Sequence, residues 1–476
     1  MKTLRKRLFW CLVLAYAVCC PLLILHVLGY VNTGLIIIDT DSAKVLVLLD
    51  GQPVANELPV TIPHIRPGEY RIGIELAGYQ PWSRQVTVQQ GQACVITQVT
   101  LLPTADSMTT ISDTPFAKLH PIERTPYMLL LPTGSAAGAR VFNHQDKRLS
   151  RLLPIDSPSG VGSIRRVFSV PESPYVLVEI EDDDHMRYVW IALDEEPTNP
   201  QDITALLSSS PAEVLWSAQA PEQLFCFARG TVDRVDLKGE TNQVDFASGW
   251  IGLGVFGDTV SGLDAEGRFI RMTMEGELVT TEAGELDLTS GLFQRLSFIH
   301  ILRMPDDTLL FHEAGGRLLQ TELPHMLIDK RVDGVRCHDK DARALVWQPD
   351  ALGILESPAR RGDGEVFEAG RQVRWLFKGK EHVTSPYFLN GGSHAVCLLG
   401  NAVTVFDLRA EKDMSDPPGQ LFNVYPNAAL QYVEDEGMLY ALHPDNAHLV
   451  AVRLLPVRTP SEQRLPSNDV ENGGGE

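Results

Sequence analysis

The sequence predicts an all-β protein carried behind one N-terminal transmembrane helix. Three observations lead there. An uncharged run fills positions 8–28 behind a basic head. From Gly34 onward, short apolar runs alternate with Gly, Asp, Pro and Asn turns, and no amphipathic helix exceeds two turns apart from a weak candidate at Ile203–Leu207. Finally, a strand–turn–strand unit recurs through the C-terminal two-thirds of the chain.

Lys2, Arg5, Lys6 and Arg7 form a cytoplasmic head at residues 1–7, and the next charge after them is Asp39. A helix needs about 20 apolar residues to cross a bilayer, which residues 8–28 supply. Basic residues on the N-terminal flank keep that end in the cytoplasm. The bulk of the chain is then expected outside it, periplasmic or on the cell surface. A cleaved signal peptide would show small residues at alternate positions before the cut; Leu25-His26-Val27-Leu28-Gly29-Tyr30 does not. Tyr16-Ala17-Val18 is equally unsuited to lipoprotein processing at Cys19, so a retained single-pass anchor is expected.

The 476 residues carry a formal charge of −20, and the head contributes four positive charges, leaving −24 for the rest. An acidic surface repels nucleic acid, so no nucleic-acid partner is expected. Outside the anchor lie Cys94, Cys226, Cys337 and Cys397, with no Cys-x-x-Cys pair. Zinc and thiol-redox motifs are therefore missing. Four cysteines allow three pairings, but each sits in or beside an apolar stretch, so buried free thiols are expected.

Residues 34–103 read as a small β-sandwich. Strands are predicted at Gly34–Asp39, Lys44–Leu49, Pro59–Ile62, Tyr70–Glu75, Arg84–Gln89 and Ala93–Gln98, separated by turns at Asp50-Gly51, Arg66-Pro67-Gly68 and Gly78-Tyr79-Gln80-Pro81-Trp82. Short strands at such spacing signal a sandwich. Gly51 and Gly68 suit turns needing positive φ or an unhindered backbone. Tyr79 and Trp82 cover the sandwich edge or, as a candidate ligand-binding pair, offer faces for sugar rings to stack on.

The order Val45, Asp50-Gly51, Pro59, Ile65-Arg66-Pro67-Gly68-Glu69-Tyr70, Gly78-Tyr79 and a closing Val-x-Val resembles a PEGA domain. One element departs: Asp41-Ser42-Ala43-Lys44 stands where the family has Pro-x-Gly-Ala, which puts the turn before the second strand in question. The resemblance implies a transthyretin-like sandwich of cell-surface and envelope proteins, and implies no catalysis.

Residues 104–115, rich in Thr, Ser and Asp, read as a linker. The recurring unit then appears at Leu224–Leu237, Thr259–Met272, Thr308–Gln320 and Ala395–Leu408, and more loosely at Val176–Leu193, Ala344–Leu355 and Met438–Val452. The ends at Leu193, Leu237, Met272, Gln320 and Leu408 are spaced by 44, 35, 48 and 88, the last gap holding one degraded copy. A period near 40–48 built from β-hairpins indicates four-stranded propeller blades. Residues 116–456 are expected to form a seven- or eight-bladed β-propeller, and the Pro-, Ser- and Gly-rich residues 457–476 a disordered tail.

No nucleotide-binding, nucleophile-elbow or His-Glu-x-x-His signature is present. Asp182-Asp183-Asp184-His185 has calcium-type ligands but falls where a hairpin must turn. Cys337-His338-Asp339-Lys340-Asp341 has metal-ligand residue types at positions too close to converge on one ion. Arg361-Gly362-Asp363 matches an adhesion tripeptide that recurs by chance. No cofactor, metal or catalytic residue is assigned. The function expected is a membrane-anchored envelope protein presenting both modules to a protein or glycan partner, without catalysis. A glycan-acting hydrolase or lyase using the propeller channel, and a purely structural component, are the alternatives.

Overall fold

The computed structural model describes residues 33–454 except 98, 100, 105–106, 154–161, 183–184, 196–197, 265–267, 283–297, 314–315, 321–325, 330, 339, 357–371, 390, 409–418 and 427. The expected head, anchor and tail, with the tripeptide Arg361-Gly362-Asp363, lie outside the described residues. Among those described, no helix is long and apolar enough to cross a membrane. The chain divides into two compact units, one of residues up to 108 with 435–438 and 452 onward, the other of 109–434 with 439–451.

Seven strands build the sandwich: β1 (Gly34–Ala43), β2 (Leu46–Leu49), β3 (Gln52–Ala55), β4 (Leu58–Ile65), β5 (Gly68–Glu75), β6 (Trp82–Val88) and β7 (Ala93–Thr97). They form one sheet in the order β4-β1-β7 and another in the order β3-β2-β5-β6, with β1 parallel to β7. Strand side chains alternate between faces, so Ile36 and Ile38 from the first sheet meet Val47, Ile72, Ile74, Val86 and Val88 from the second in one buried core. Each such aliphatic contributes about 1.5–3 kcal/mol by leaving water. Asp50 (φ 48°) and Gly51 (φ 79°) both lie in the left-handed region, the two-residue hairpin turn that matches strand twist. The Asp50 carboxylate locks it by accepting the Arg71 amide at 2.7 Å.

Three details differ from expectation. Strand β3 was not anticipated, because Gln52-Pro53-Val54 is exposed and carries no buried alternation. Gly68 does not adopt positive φ; a Cβ there would meet only the Tyr70 ring, at an ordinary 3.6 Å. Strand β1 runs through Ala43, so the divergent Asp41-Ser42-Ala43 stretch extends a strand where a turn was expected.

The second unit is a β-propeller. Residues 118–151, 163–202, 213–248, 250–282, 299–329, 334–378 and 383–423 form blades 1 to 7, each a four-stranded antiparallel sheet. Blade 8 joins three strands between Gln431 and Arg453 to β8 (Thr109–Pro115) on its outer edge. The described residues therefore form eight blades. Blades 4 and 5 read as one eight-stranded sheet because their first strands pair in parallel at Gly252↔Ile299 and Leu253↔His300. That approach requires Gly252, where a Cβ would fall 2.9 Å from Ile299 Cβ.

Strand β8 lies in the segment expected to be a linker. It pairs with the strand His448–Arg453, with Ala451 opposite Thr109 and Val450 opposite Thr110. Its residues are mostly exposed, only Ser112 being buried, so it has no apolar alternation to reveal it. Residues 204–206 of the weak helical candidate form a single 3-10 turn.

Every recurring unit found in the sequence is the second and third strand of a blade; Leu224–Leu237, for example, contains the paired strands Ala220–Ala228 and Thr231–Asp236. These middle strands are covered on both faces by neighbouring blades. Leu129 and Val141 of blade 1 pack with Val176, Val178, Val189 and Ile191 of blade 2. Between blades 2 and 3, Trp190 meets Trp216 edge-on at 4.9 Å, and the Trp216 indole donates to the buried Ser173 hydroxyl at 2.9 Å.

Candidate functional site

In each blade the first strand is the edge opposite the outer strand, and the first strands of blades 4 and 5 pair with each other, so this edge borders the propeller axis. The loop after the first strand of blade 1 (Lys118–Pro121) carries Glu123, and the first strand of blade 6 (Gly334–Cys337) carries Arg336. Although blades 7 and 8 stand between them, Arg336 Nη2 donates to Glu123 Oε1. Arg336 Nη1 donates to the Pro386 carbonyl at 2.7 Å. The same guanidinium lies 3.7 Å from the centre of the Tyr387 ring on blade 7, and the Tyr387 hydroxyl donates to the Leu430 carbonyl at 2.9 Å. Two segments distant in sequence thus meet on one arginine, and Tyr387 links a third to them.

Burial opposes the charge of Arg336, but the Tyr387 oxygen and the Glu123 carboxylate outweigh it and hold the guanidinium protonated well above its usual range. Burial also raises the Tyr387 phenol, partly offset by Arg336. Beside this cluster, His120 contacts Ser169 Oγ of blade 2 at 3.3 Å, and burial pushes its imidazole down to about 4 against the pull of Glu123. Across the axis, burial and the neighbouring His312 lower His300 to about 4. Both rings are neutral at physiological pH. The Glu123 main chain continues the closure, its carbonyl accepting the Glu172 amide at 2.9 Å. The ion pair bolts blade 6 to blade 1, and its guanidinium also engages the Pro386 carbonyl and the Tyr387 ring of blade 7.

The other candidates take simpler roles. Asp182 and His185 are opposed across the hairpin of blade 2, and the Asp182 carboxylate accepts from Arg187 at 3.2 Å. Buried His338 lies 2.9 Å from Asp341; Arg343 pairs with the same carboxylate at 2.5 Å and donates to the Gly392 carbonyl at 2.7 Å. Desolvation raises the Asp341 carboxyl, but Arg343 and His338 overcome it and the net shift is downward. The group fastens blade 6 to blade 7. Among the described residues, no three His, Cys, Asp or Glu side chains converge as a metal site.

Tyr79 and Trp82 are half-buried and pack against the sandwich core. Tyr79 bridges Pro103, and burial raises its phenol. Trp82 stands at the start of β6 opposite Ile74. The four cysteines are free; Cys226 and Cys397 are buried as expected, whereas Cys94 and Cys337 are only half-buried. Sequence reasoning did not find the Arg336 cluster, whose members Glu123, Arg336, Tyr387 and Leu430 are scattered over some 300 positions.

The sandwich matches a known family. Residues 33–103 match the PEGA domain family. No curated protein matches the chain. Among solved structures it is similar to BamB from Moraxella catarrhalis (12% identity, TM-score 0.44, covering 72% of this chain and 97% of that one). It is also similar to YCF48 from Cyanidioschyzon merolae (10% identity, TM-score 0.40, covering 73% and 98%). A third is PorZ, a bacterial surface component of the type-IX secretion system of Porphyromonas gingivalis (11% identity, TM-score 0.39, covering 70% and 42%).

Proposed function

We propose that this chain, a PEGA domain joined to an eight-bladed β-propeller, is a non-catalytic envelope protein, anchored through residues 8–28, that binds a protein partner through the outside of its propeller. The observation that carries the reading is this inter-blade bolt. A propeller enzyme draws its reacting groups from several blades toward a substrate, whereas here Arg336, Glu123 and Tyr387, from three blades, are engaged with one another. Two histidines near the axis, His120 and His300, are half-buried and held neutral, and so unsuited to proton transfer near neutral pH. What remains for recognition is the outer surface, a broad rigid frame of repeated sheets.

Alkaline carbonate extraction and protease digestion of intact cells expressing the full chain test the anchor and orientation. The reading expects the protein to stay in the membrane pellet and its propeller to be cut without lysis. Release into the supernatant removes the anchor, and full protection before lysis reverses the orientation. Substitution of Glu123 or Arg336 should leave partner binding intact, as these residues are engaged with each other between blades.

A further inference from the structure

Among the described residues, the outermost strand of blade 1, Arg148–Arg151, has one edge with no neighbouring strand. It reads Arg-Leu-Ser-Arg and pairs inward with Arg140–Asn143, placing Arg151 directly opposite Arg140 and Leu149 opposite Phe142. Arg148, Leu149 and Arg151 are exposed. Arg140 donates to the carbonyls of Ala137 and Ala139, at 3.4 and 3.1 Å. Among the described residues, neither Arg140 nor Arg151 makes an ion pair, and burial, joined by Arg151, lowers the Arg140 guanidinium.

This is unusual in a chain of formal charge −20. Five of the other seven outer strands contain a carboxylate, and Gly419–Asn423 contains no charge. The other basic one, Gln372–Lys378, has its Arg374 tied to Glu356 at 2.8 Å. Charges on a sheet edge commonly serve only to discourage stray pairing. Like charges directly opposite on adjacent strands, however, are themselves destabilising, and a single exposed charge would blunt the edge without that cost. An arriving carboxylate removes it.

Resting on the protein-binding reading above, we propose that the free edge of blade 1 docks an acidic, extended segment of a partner protein as a fifth strand. Main-chain groups of Arg148–Arg151 pair with the segment. The forked guanidiniums of Arg140 and Arg151 hold a carboxylate. Side chains two apart share a face, so the segment carries an apolar residue two positions from that acid to lie beside Leu149.

The test is fluorescence anisotropy with purified full-length protein in detergent and a labelled, end-capped peptide, Thr-Asp-Thr-Val-Thr-Asp-Thr. Saturable binding is expected, weakened about tenfold or more by Arg151→Glu and by Arg151→Gln. The double variant Arg140→Glu/Arg151→Glu should instead prefer the peptide with Lys in place of Asp. A backbone N-methylated copy, equal in charge but unable to pair, should not bind. Absence of saturable binding, equal affinity for the Arg151 variants, or equal binding of the N-methylated copy each overturns the proposal. The purified-protein assay is independent of the anchor, so its failure is distinguishable from a failure of the envelope reading. Arg151 is exposed, and an unchanged melting temperature confirms that its variants fold.

Discussion

Replacing Arg336 by Met should loosen the axis of the propeller without dismantling its blades. The side chain is mostly buried, with one fifth of its surface exposed, whereas its partner Glu123 is 43% exposed. Removal deletes the charge-assisted hydrogen bond to the Pro386 carbonyl, worth about 1.5–3 kcal/mol. It also deletes the contact with the Tyr387 face, worth about 1–2 kcal/mol at a desolvated site. Glu123 can turn to water, so its loss adds little. Methionine returns part of the apolar packing, and the sum is about 3 kcal/mol. Glu123→Gln should cost less, about 1–2 kcal/mol, since the buried guanidinium keeps its other two contacts. Hydrogen exchange reads this locally: 3 kcal/mol corresponds to about a hundredfold faster exchange in Lys118–Pro121 and Val383–Leu389, with the sandwich unchanged. Exchange in those strands within about threefold of wild type, or a larger effect from Glu123→Gln than from Arg336→Met, would refute the bolt.

Acid should destabilise the same region: His120 sits near 4 in the folded chain against 6.5 when free. The unfolded chain therefore binds the extra proton first, and stability present above pH 6.5 falls by about 3 kcal/mol as pH drops to 4; His120→Gln should flatten that slope in denaturation midpoints taken across the range. Ser173→Ala leaves the buried Trp216 indole without its acceptor and should lower stability by about 1–3 kcal/mol, read as faster exchange at blades 2 and 3. At pH 8, iodoacetamide should label Cys94 and Cys337 but spare native Cys226, whose thiol burial pushes up to about 12, and Cys397, raised by burial as well; mass spectrometry of tryptic peptides decides it.

The parts of this fold that were legible in the sequence are those buried on both faces. Leu224–Leu237 and Ala395–Leu408 announce themselves because both sides of a middle strand must be apolar, giving dense runs around a tight turn. Outer strands gave no such signal: Gln201–Asp202 is two residues long, and Arg148–Arg151 is almost wholly exposed. Blade 1 escaped notice because residues 132–139 separate its two middle strands, too long for the hairpin pattern. The axial cluster was illegible for a different reason. Glu123 and Arg336 are ordinary charged residues locally, and only ring closure brings blades 1 and 6 to face each other across the axis. The Arg140–Arg151 opposition depends on a register that neither strand's composition specifies.

Closure by β8 also sets a schedule. Thr109–Pro115 leaves the ribosome before any blade, yet its partner strand begins at His448, roughly 330 residues later. At about 5–20 residues per second, the first strand of the ring waits some 15–70 s for the last. A sticky sequence would find other company in that interval. Thr-Thr-Ile-Ser-Asp-Thr-Pro, with one aliphatic residue, a charge and a terminal proline, is poor material for stray pairing. The polarity that disguises β8 as a linker lets it remain unpaired until synthesis supplies its mate.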